Sequence, residues 1–292
     1  MRRIVISGAA GLVGSRALIL LRESCEVHAI VRNPPVYPLE GVTYHVRDLG
    51  ASWSTDGLPS RVFAVFHLAQ SENFRDFPAG AMDCFRVNTA ATAQFLDYAV
   101  QSQAQRFVLA STGGLYGSCD ATITEQTPLN LPVGKLNYYF STKLSAEFLS
   151  AAYRSVLDVT VLRPFFIYGA GQASDKLVQR LIDCVIKRRP ITVVGENGTE
   201  MNPVHVDDVA RLLAAVLQMS GSQTLNVAGP QIVSVRQIAD TIASRVAVGP
   251  VLIHTDGHPE RMVSSFAAAQ ALIAQPLTTF DEGIETMLIE PA

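Results

Sequence analysis

The chain has 292 residues, of which 48% are hydrophobic and 17% are charged, and its 23 basic and 26 acidic residues leave a formal net charge of −3. This composition can bury a substantial core in one large or two closely joined domains, and it excludes a disordered chain. The near balance of charge offers no basic surface for nucleic acid or an anionic membrane, so small molecules are the expected partners.

Short apolar runs rich in β-forming residues alternate with longer helical patterns over the first 164 residues. Such alternation predicts βαβ units around a parallel sheet, so we expect a Rossmann-like, doubly wound α/β fold. No apolar run approaches the roughly 20 residues that span a bilayer, so no membrane segment is expected. The predicted strands are 3–7, 26–31, 42–46, 62–67, 106–111 and 160–162, and the predicted crossover helices are 11–22, 79–102 and 138–155.

The alternation loosens after Pro164. There the pattern predicts helices at 175–188, 207–219 and 235–246 and a strand at 191–194. We therefore expect a dinucleotide-binding domain at 1–164 and a smaller, mainly substrate-binding lobe at 165–292, with segments such as 204–228 returning to the first domain.

Three glycines, Gly8, Gly11 and Gly14, follow the first predicted strand and open the first helix. Without side chains, the backbone can turn tightly, approach a pyrophosphate and pack against the sheet. An ordinary tight strand-to-helix turn would have the same spacing. The place at the first strand of a βαβ series nevertheless favours dinucleotide binding.

The second predicted strand ends at Val31, and Arg32 follows it. Many NAD enzymes place an Asp or Glu there for the ribose hydroxyls, whereas a guanidinium can pair with a 2′-phosphate. The sequence therefore allows NAD or NADP and slightly favours NADP. A solvated surface arginine is the alternative interpretation of Arg32.

Tyr139 and Lys143 are four residues apart on a predicted helix, so they share one face. A lysine cation favours phenolate, and a nearby nicotinamide cation acts in the same direction, so the pKa of the tyrosine is expected to fall towards neutrality. Ser111 and Thr112 stand at the carboxyl end of the fifth strand, where ligands bind in open α/β sheets. Either hydroxyl could hold the reacting oxygen, or it could simply cap a loop.

The four cysteines, Cys25, Cys84, Cys119 and Cys184, are scattered along the chain. They form no close pair, so the sequence predicts neither a metal site nor a disulfide framework. A reduced, cytoplasmic setting is expected.

Together these features resemble the NAD-dependent epimerase/dehydratase branch of the extended short-chain dehydrogenases/reductases over nearly the whole chain. The segments that carry the resemblance are GAAGLVG from Gly8, RDL around Asp48, FHLA ending at Ala69, VNTAAT from Val87, STGGLYG from Ser111, YYFSTK ending at Lys143, LRPFFIYG from Leu162 and NPVHVDDVA from Asn202.

The resemblance implies a nicotinamide dinucleotide cofactor, a nucleotide-sugar substrate and a homodimer formed through helices 79–102 and 138–155. The resemblance also assigns contacts with the cofactor to individual residues. The glycine turn with Leu12 and Val13 would hold the pyrophosphate, Asp48 and Leu49 would lie by the adenine, Leu68 and Ala69 would line the cofactor, and Pro164 to Ile167 would run beside the nicotinamide.

For the chemistry, the resemblance makes Tyr139 and Lys143 the acid/base pair. Thr112 matches the catalytic hydroxyl, with Ser111 as a second candidate, and Asn88 would steady the fold near the site.

Three features depart from the family pattern. Gly113 and Gly114 occupy the places where the dehydratases carry an acidic pair, which disfavours 4,6-dehydration. Met201 replaces a common diphosphate-binding arginine, and the C-terminal part is shorter than in the family, which leaves only Arg261 as a possible second clamp.

The leading hypothesis is reversible hydride transfer at a secondary alcohol or ketone carbon of a nucleotide sugar, as an epimerase or reductase. An NADPH-dependent reductase of a small ketone or aldehyde is the alternative enzyme. A non-catalytic dinucleotide-sensing protein is the alternative of another class, and the intact set of Tyr139, Lys143 and Thr112 argues against it, because a sensor needs no acid/base apparatus.

Overall fold

A computed structural model describes residues 1–289 and divides the chain into two compact units. The first unit comprises residues 1–115, 129–163 and 210–225, and the second comprises 116–128, 164–209 and the chain from 226 onward. The chain therefore passes from one unit to the other more than once.

The strands and helices have the following bounds. The strands are β1 Arg2–Ser7, β2 Cys25–Val31, β3 Val42–Val46, β4 Ala64–His67, β5 Arg106–Ala110, β6 Asp158–Pro164, β7 Ile167–Tyr168, β8 Pro190–Val194, β9 Glu200–Met201, β10 Val204–His205, β11 Gln223–Val227, β12 Val233–Ser234, β13 Val251–Thr255 and β14 Arg261–Met262. The helices are α1 Leu12–Leu21, α2 Ala81–Phe85, α3 Ala91–Gln101, α4 Asn137–Ala152, α5 Leu177–Ile186, α6 Val206–Val216, α7 Val235–Val246, α8 Ala267–Gln270 and α9 Phe280–Ile289.

Seven strands form the main sheet in the order β11-β6-β5-β4-β1-β2-β3. Strands β1 to β6 pair in parallel, and β4 is buried along its whole length, as expected for a sheet covered on both faces. This confirms the predicted Rossmann-like fold. The strand order reverses between β1 and β4, and ligands of such sheets bind outside the carboxyl ends of the strands at that switch point.

The predicted helix at 79–102 is divided in the structure. A π-helical turn, Arg86–Ala90, separates α2 from α3. Such turns widen a helix by one residue and are frequent at functional sites. Here the turn carries Asn88, which is fully buried.

The second unit has an apolar cluster of its own, to which α5, α7 and α9 contribute Ile182, Ile238 and Ile284. Helix α7 begins with a capping box, in which Ser234 Oγ accepts from the Gln237 amide at 3.1 Å and Gln237 Oε1 accepts from the Ser234 amide at 2.8 Å. The short strands β9, β12 and β14 pair beside it and were not predicted.

Within residues 1–289, no helix is both long and apolar enough to cross a membrane. In the same part of the chain, no group of three or more His, Cys, Asp or Glu side chains could hold a metal ion. The four cysteines are free thiols, and Cys25 and Cys84 are buried.

Candidate active site in the first unit

Three glycines lie in the turn between β1 and α1 and in the first turn of α1, and two of their positions can accept only glycine. Gly8 has a φ of +70°, and a Cβ atom there would lie 2.6 Å from the Ala69 amide nitrogen. A Cβ on Gly14 would lie 2.1 Å from the Gly8 carbonyl oxygen. The backbone amide of Gly11 donates to Gly8 at 3.0 Å and closes the turn.

Helix α1 begins directly after this turn, and no side chain caps it at Gly11. Its first amides, from Leu12, Val13 and Gly14, have no partner within the helix, as at any helix start. A helix N-terminus of this kind favours a phosphate group. The close-packed glycine cradle and the helix start therefore fit the pyrophosphate of a dinucleotide.

The residues expected beside the rest of the cofactor lie around this turn. Ala69 follows β4, and its backbone is the nearest neighbour of Gly8. Leu68 donates its backbone amide to the Ser7 carbonyl at 3.2 Å, which holds the end of β4 against β1. Leu49 is buried in the core, whereas Asp48 is exposed and accepts a hydrogen bond from the Gly50 amide at 2.9 Å.

Arg32 lies immediately after β2, but its guanidinium already has a partner. Its Nη2 atom lies 2.8 Å from Oε2 of Glu72, in the segment that follows β4. The Glu72 carboxylate raises the pKa of Arg32, with smaller contributions from the charges of Asp48 and Asp83. Arg32 is 55% exposed and forms an ion pair at the surface, so a 2′-phosphate would have to compete with the Glu72 carboxylate for it.

Tyr139 and Lys143 lie on one face of α4, as their spacing predicts, and both are buried. The Tyr139 hydroxyl donates to Gln70 Oε1 at 2.9 Å. The Lys143 ammonium donates to the Ala110 carbonyl, at the carboxyl end of β5, at 2.9 Å. The pair is thus anchored to the segment after β4 and to the end of β5, beside the switch point of the sheet.

Burial changes the pKa of both side chains. It raises the pKa of Tyr139, and a hydrogen bond with the Thr112 hydroxyl opposes this rise only in part. It lowers the pKa of Lys143 to about 8, although the thiol of Cys84 and the carboxylate of Glu147 favour the ammonium. In this structure the pKa of Tyr139 is therefore raised by burial and does not fall towards neutrality as the sequence predicted.

The two candidate hydroxyls differ in their surroundings. Ser111 is buried and donates to Glu147 Oε1 at 2.5 Å, and Glu147 in turn forms an ion pair with Arg163 at 2.6 Å. Thr112 is half-buried, and its Oγ1 accepts from the Gly114 amide at 3.1 Å. Since Thr112 also contacts Tyr139, it is the better placed of the two to hold a substrate oxygen.

Asn88 joins three parts of the first unit. Its amide nitrogen donates to Thr142 Oγ1 at 3.0 Å and to Cys84 Sγ at 3.3 Å, and its Oδ1 accepts from the Ser71 amide at 3.2 Å. Because Thr142 precedes Lys143, these bonds tie the segment after β4 to the part of α4 that carries the lysine.

The glycines that replace an acidic pair have a packing reason. Gly113 and Gly114 begin a 3₁₀ turn, Gly113–Tyr116. A Cβ atom on Gly114 would lie 2.4 Å from the ring of Phe140. Phe140 therefore occupies the space that a side chain at position 114 would need.

Other predicted site residues belong to the second unit. Pro164 ends β6, and Ile167 begins β7, which pairs with β10 through Val204. Their place beside a nicotinamide stays a prediction.

The two places considered for a diphosphate clamp lie in the second unit. Met201 is 1% exposed, within β9. Arg261 lines a cavity of about 300 Å³ together with Asp120, Glu196, Glu200 and Glu260. Its Nε lies 3.4 Å from the Glu200 carboxylate and its Nη1 donates to the Asp120 backbone carbonyl at 2.8 Å, so this guanidinium already has two partners.

Three side chains of the site were missed from the sequence: Gln70, Glu72 and Glu147. Glu147 could have been found, because it follows Lys143 by four residues and so lies on the same face of the helix. Gln70 and Glu72 contact residues 69 and 40 positions away in the sequence, and no local pattern signals such contacts.

Comparison with known proteins assigns the family. Residues 4–228 match the model of the NAD dependent epimerase/dehydratase family. A UDP-glucuronate 4-epimerase of Thermodesulfobacterium geofontis is 25% identical over 231 residues, which cover 77% of this chain and 71% of that protein.

Solved structures agree in fold. MoeE5 in complex with UDP-glucuronic acid and NAD is 29% identical, with a TM-score of 0.81 and 97% of each chain covered. The UDP-glucose 4-epimerase of Thermus thermophilus, in complex with NAD, has a TM-score of 0.82 over 99% of this chain and 98% of that one, and its 23% identity supports the fold alone. The family match and the glycine turn lead to the same assignment: the chain belongs to the NAD-dependent epimerase/dehydratase family.

Proposed function

We propose that this protein catalyses reversible hydride transfer between a nicotinamide dinucleotide and a secondary alcohol carbon of a nucleotide sugar. The observation that carries the proposal is the buried Tyr139 hydroxyl, one helical turn from a Lys143 ammonium that is anchored at the carboxyl end of β5. The nucleotide sugars bound or used by the similar proteins support the substrate class.

Each side chain has a separate role in the proposed reaction. When bound, the nicotinamide ring supplies hydride acceptance and return. Tyr139 takes the substrate's hydroxyl proton at its Oη and later gives it back, for which its pKa has to fall. The ammonium of Lys143 keeps positive charge one turn away, Thr112 orients the substrate oxygen, and Gln70 receives the hydroxyl hydrogen of Tyr139 when no substrate does.

NAD is the cofactor that we propose, rather than the NADP that Arg32 alone suggested. MoeE5 binds NAD. In this chain the guanidinium of Arg32 is paired with Glu72, so a 2′-phosphate would have to displace a carboxylate and lie beside its charge.

Epimerisation or reduction is favoured over 4,6-dehydration. Gly113 and Gly114 carry no acid or base, and Phe140 fills the space beside Gly114. An epimerase returns the hydride to the opposite face of a rotated keto intermediate, whereas a reductase releases its product and exchanges its cofactor.

One observation favours a second candidate, an NAD(P)H-dependent reductase of a smaller ketone or aldehyde. Met201 is buried and uncharged, and the guanidinium of Arg261 is already paired with Glu200, so neither offers a free cation for a diphosphate. A substrate without a diphosphate would need no clamp.

The test is turnover of UDP-glucose, UDP-glucuronic acid and simple ketones with each dinucleotide, followed by NMR. Thermal stabilisation by each ligand is measured alongside, since selective binding raises apparent stability. A C4 epimer without net cofactor consumption identifies an epimerase, and stoichiometric cofactor oxidation identifies a reductase. Conversion of ketones alone would select the second candidate.

Tyr139→Phe should lower turnover by about two to four orders of magnitude and leave dinucleotide binding intact, because it removes only the ionisable hydroxyl. Tyr138→Phe, the same change at the neighbouring residue, is the control and should keep turnover. Wild-type turnover by Tyr139→Phe would disprove the acid/base role.

Two further expectations remain proposals. We propose a homodimer formed through α2, α3 and α4, whose exposed apolar side chains include Met82, Phe85 and Phe148. A cytoplasmic location, favoured by the unpaired cysteines, stays a prediction.

A further inference from the structure

Arg32 and Glu72 approach each other over the carboxyl end of β1. Arg32 follows β2, Glu72 follows β4, and the sheet order places β1 between these two strands. The glycine turn that begins at Gly8 leaves β1 at the same edge. Their ion pair of 2.8 Å therefore spans the sheet edge at which the dinucleotide is proposed to bind.

The surroundings of this pair are acidic. Besides Glu72, the carboxylates of Asp48 and Asp83 favour the charged guanidinium of Arg32. Asp83 is held in place by hydrogen bonds from the hydroxyl of Ser71 and from Asn73 Nδ2, on either side of Glu72 in sequence. The positive charge of Arg32 therefore interacts favourably with three nearby carboxylates.

We propose that Glu72 determines the cofactor specificity of this protein, by neutralising Arg32 and repelling the 2′-phosphate of NADP. The inference rests on the proposed dinucleotide site. In other NAD enzymes a carboxylate at the end of the second strand has this role. In this protein the carboxylate comes from the segment after β4. A search for an Asp or Glu at the end of the second strand therefore does not find it.

The charges explain the direction of the effect. A phosphate monoester carries between one and a half and two negative charges at neutral pH and is bound best by a guanidinium with both of its donors free. Glu72 already accepts from Nη2 of Arg32 at 2.8 Å and adds a like charge, which penalises NADP and leaves NAD unaffected. Side chains that are 55% and 72% exposed contribute little to folding through such a pair, so its removal should leave the fold intact.

The experiment is calorimetric titration of the full chain with NAD and with NADP. The wild type should prefer NAD. Glu72→Gln should raise the affinity for NADP by about tenfold or more, as expected for one charge-assisted contact, and change the affinity for NAD by less than about twofold. The gain should disappear in the double variant Arg32→Ala/Glu72→Gln, because the freed guanidinium is what binds the phosphate.

Glu23→Gln is the matched control. It changes the net charge by the same amount at an exposed residue before β2, at the opposite end of that strand from Arg32. Its ratio of NADP to NAD affinity should equal that of the wild type.

The outcomes separate the inference from the proposed function. A wild-type preference for NADP, an unchanged ratio in Glu72→Gln, or an equal shift in Glu23→Gln would overturn the role of Glu72 while leaving a dinucleotide-binding protein. Failure of the folded wild type to bind either dinucleotide would overturn the proposed function and this inference together.

Discussion

Lys143 is a buried amine whose charge changes close to physiological pH. Burial lowers its pKa to about 8, from the 10.5 of an exposed lysine. It therefore carries its proton at pH 7 and loses it at mildly alkaline pH. The ammonium is proposed to assist Tyr139, and we further propose that it holds the ribose of the bound dinucleotide, so this titration should be visible in function.

We expect dinucleotide affinity and turnover to fall as the pH rises through about 8. The native state binds fewer protons at Lys143 than the unfolded state between about pH 8 and 10.5, so this residue's contribution to the free energy of unfolding increases with pH in that window. Loss of function above pH 8 should therefore occur without loss of stability from this group. Titration calorimetry and urea unfolding over pH 6.5–9.5 measure the two trends.

Lys143→Met, which keeps the length of the side chain without its charge, is the control for that titration. It should bind the dinucleotide weakly at every pH and show no step near 8. A step of unchanged size in this variant would mean that another group titrates.

At the residue scale, the sequence identified the reactive types but not their partners. The spacing of Tyr139 and Lys143 was enough to place them on one helix face. Local sequence could not show how Ser111 and Thr112 differ. The difference arises because Ser111 donates to Glu147 of α4, which is paired with Arg163 of β6.

Helix α4 is the element that organises the site. Tyr139, Lys143 and Glu147 follow one another at intervals of four residues along it. Glu147 forms two bonds with Arg163 of β6, at 2.6 Å and 3.0 Å, and both side chains are about nine-tenths buried. This ion pair fixes the helix against the sheet one turn beyond the lysine.

Glu147→Gln should destabilise the protein by about 3–5 kcal/mol, because it leaves the buried Arg163 charge without a carboxylate. It should also lower the pKa of Lys143 further, since Glu147 favours the ammonium. Urea unfolding measures the first effect, and a shift of the alkaline limb of dinucleotide binding to lower pH measures the second.

Ser111→Ala is the comparison variant, since it removes one hydrogen bond to Glu147 and leaves the ion pair. It should cost only about 1 kcal/mol and leave the alkaline limb in place. An unfolding midpoint of Glu147→Gln equal to that of the wild type would rule out the anchoring role. If Glu147→Gln does not fold while Ser111→Ala does, the ion pair is essential for folding.

At the scale of elements, the regular part of the fold was predictable and the irregular part was not. Strands β1 to β6 were expected within about two residues of their bounds, because each contains β-branched or other apolar residues between turns and helical patterns. The break at Arg86–Ala90 has no counterpart in the hydrophobic pattern, since a π turn shifts the register by one residue only. Strands β9 and β12 have two residues each, which is too short to show the alternation of apolar and polar residues that predicts a strand.

For the whole molecule, the exposed apolar surface of the first unit is the feature that remains to be explained. Met82 and Phe85 on α2 and Phe148 on α4 are 56%, 42% and 68% exposed. Helices α2 and α4 pack against each other within the unit, so these side chains belong to neighbouring helices. Large exposed apolar side chains such as these three are candidates for an interaction surface.

We expect a symmetric dimer in which these helices meet their counterparts in a four-helix contact. A stable contact of this type buries about 1,200–2,000 Å². Light scattering at micromolar concentration should give a species near 63 kDa, twice the 31.5 kDa of one chain.

Phe148→Glu should shift the dimer to the monomer, because a carboxylate would be buried without a partner. Val133→Glu, at a fully exposed apolar residue outside these helices, should remain dimeric. Detection of only the 31.5 kDa species in the wild type would refute the dimer, and the apolar faces of α2 and α4 would then need another explanation.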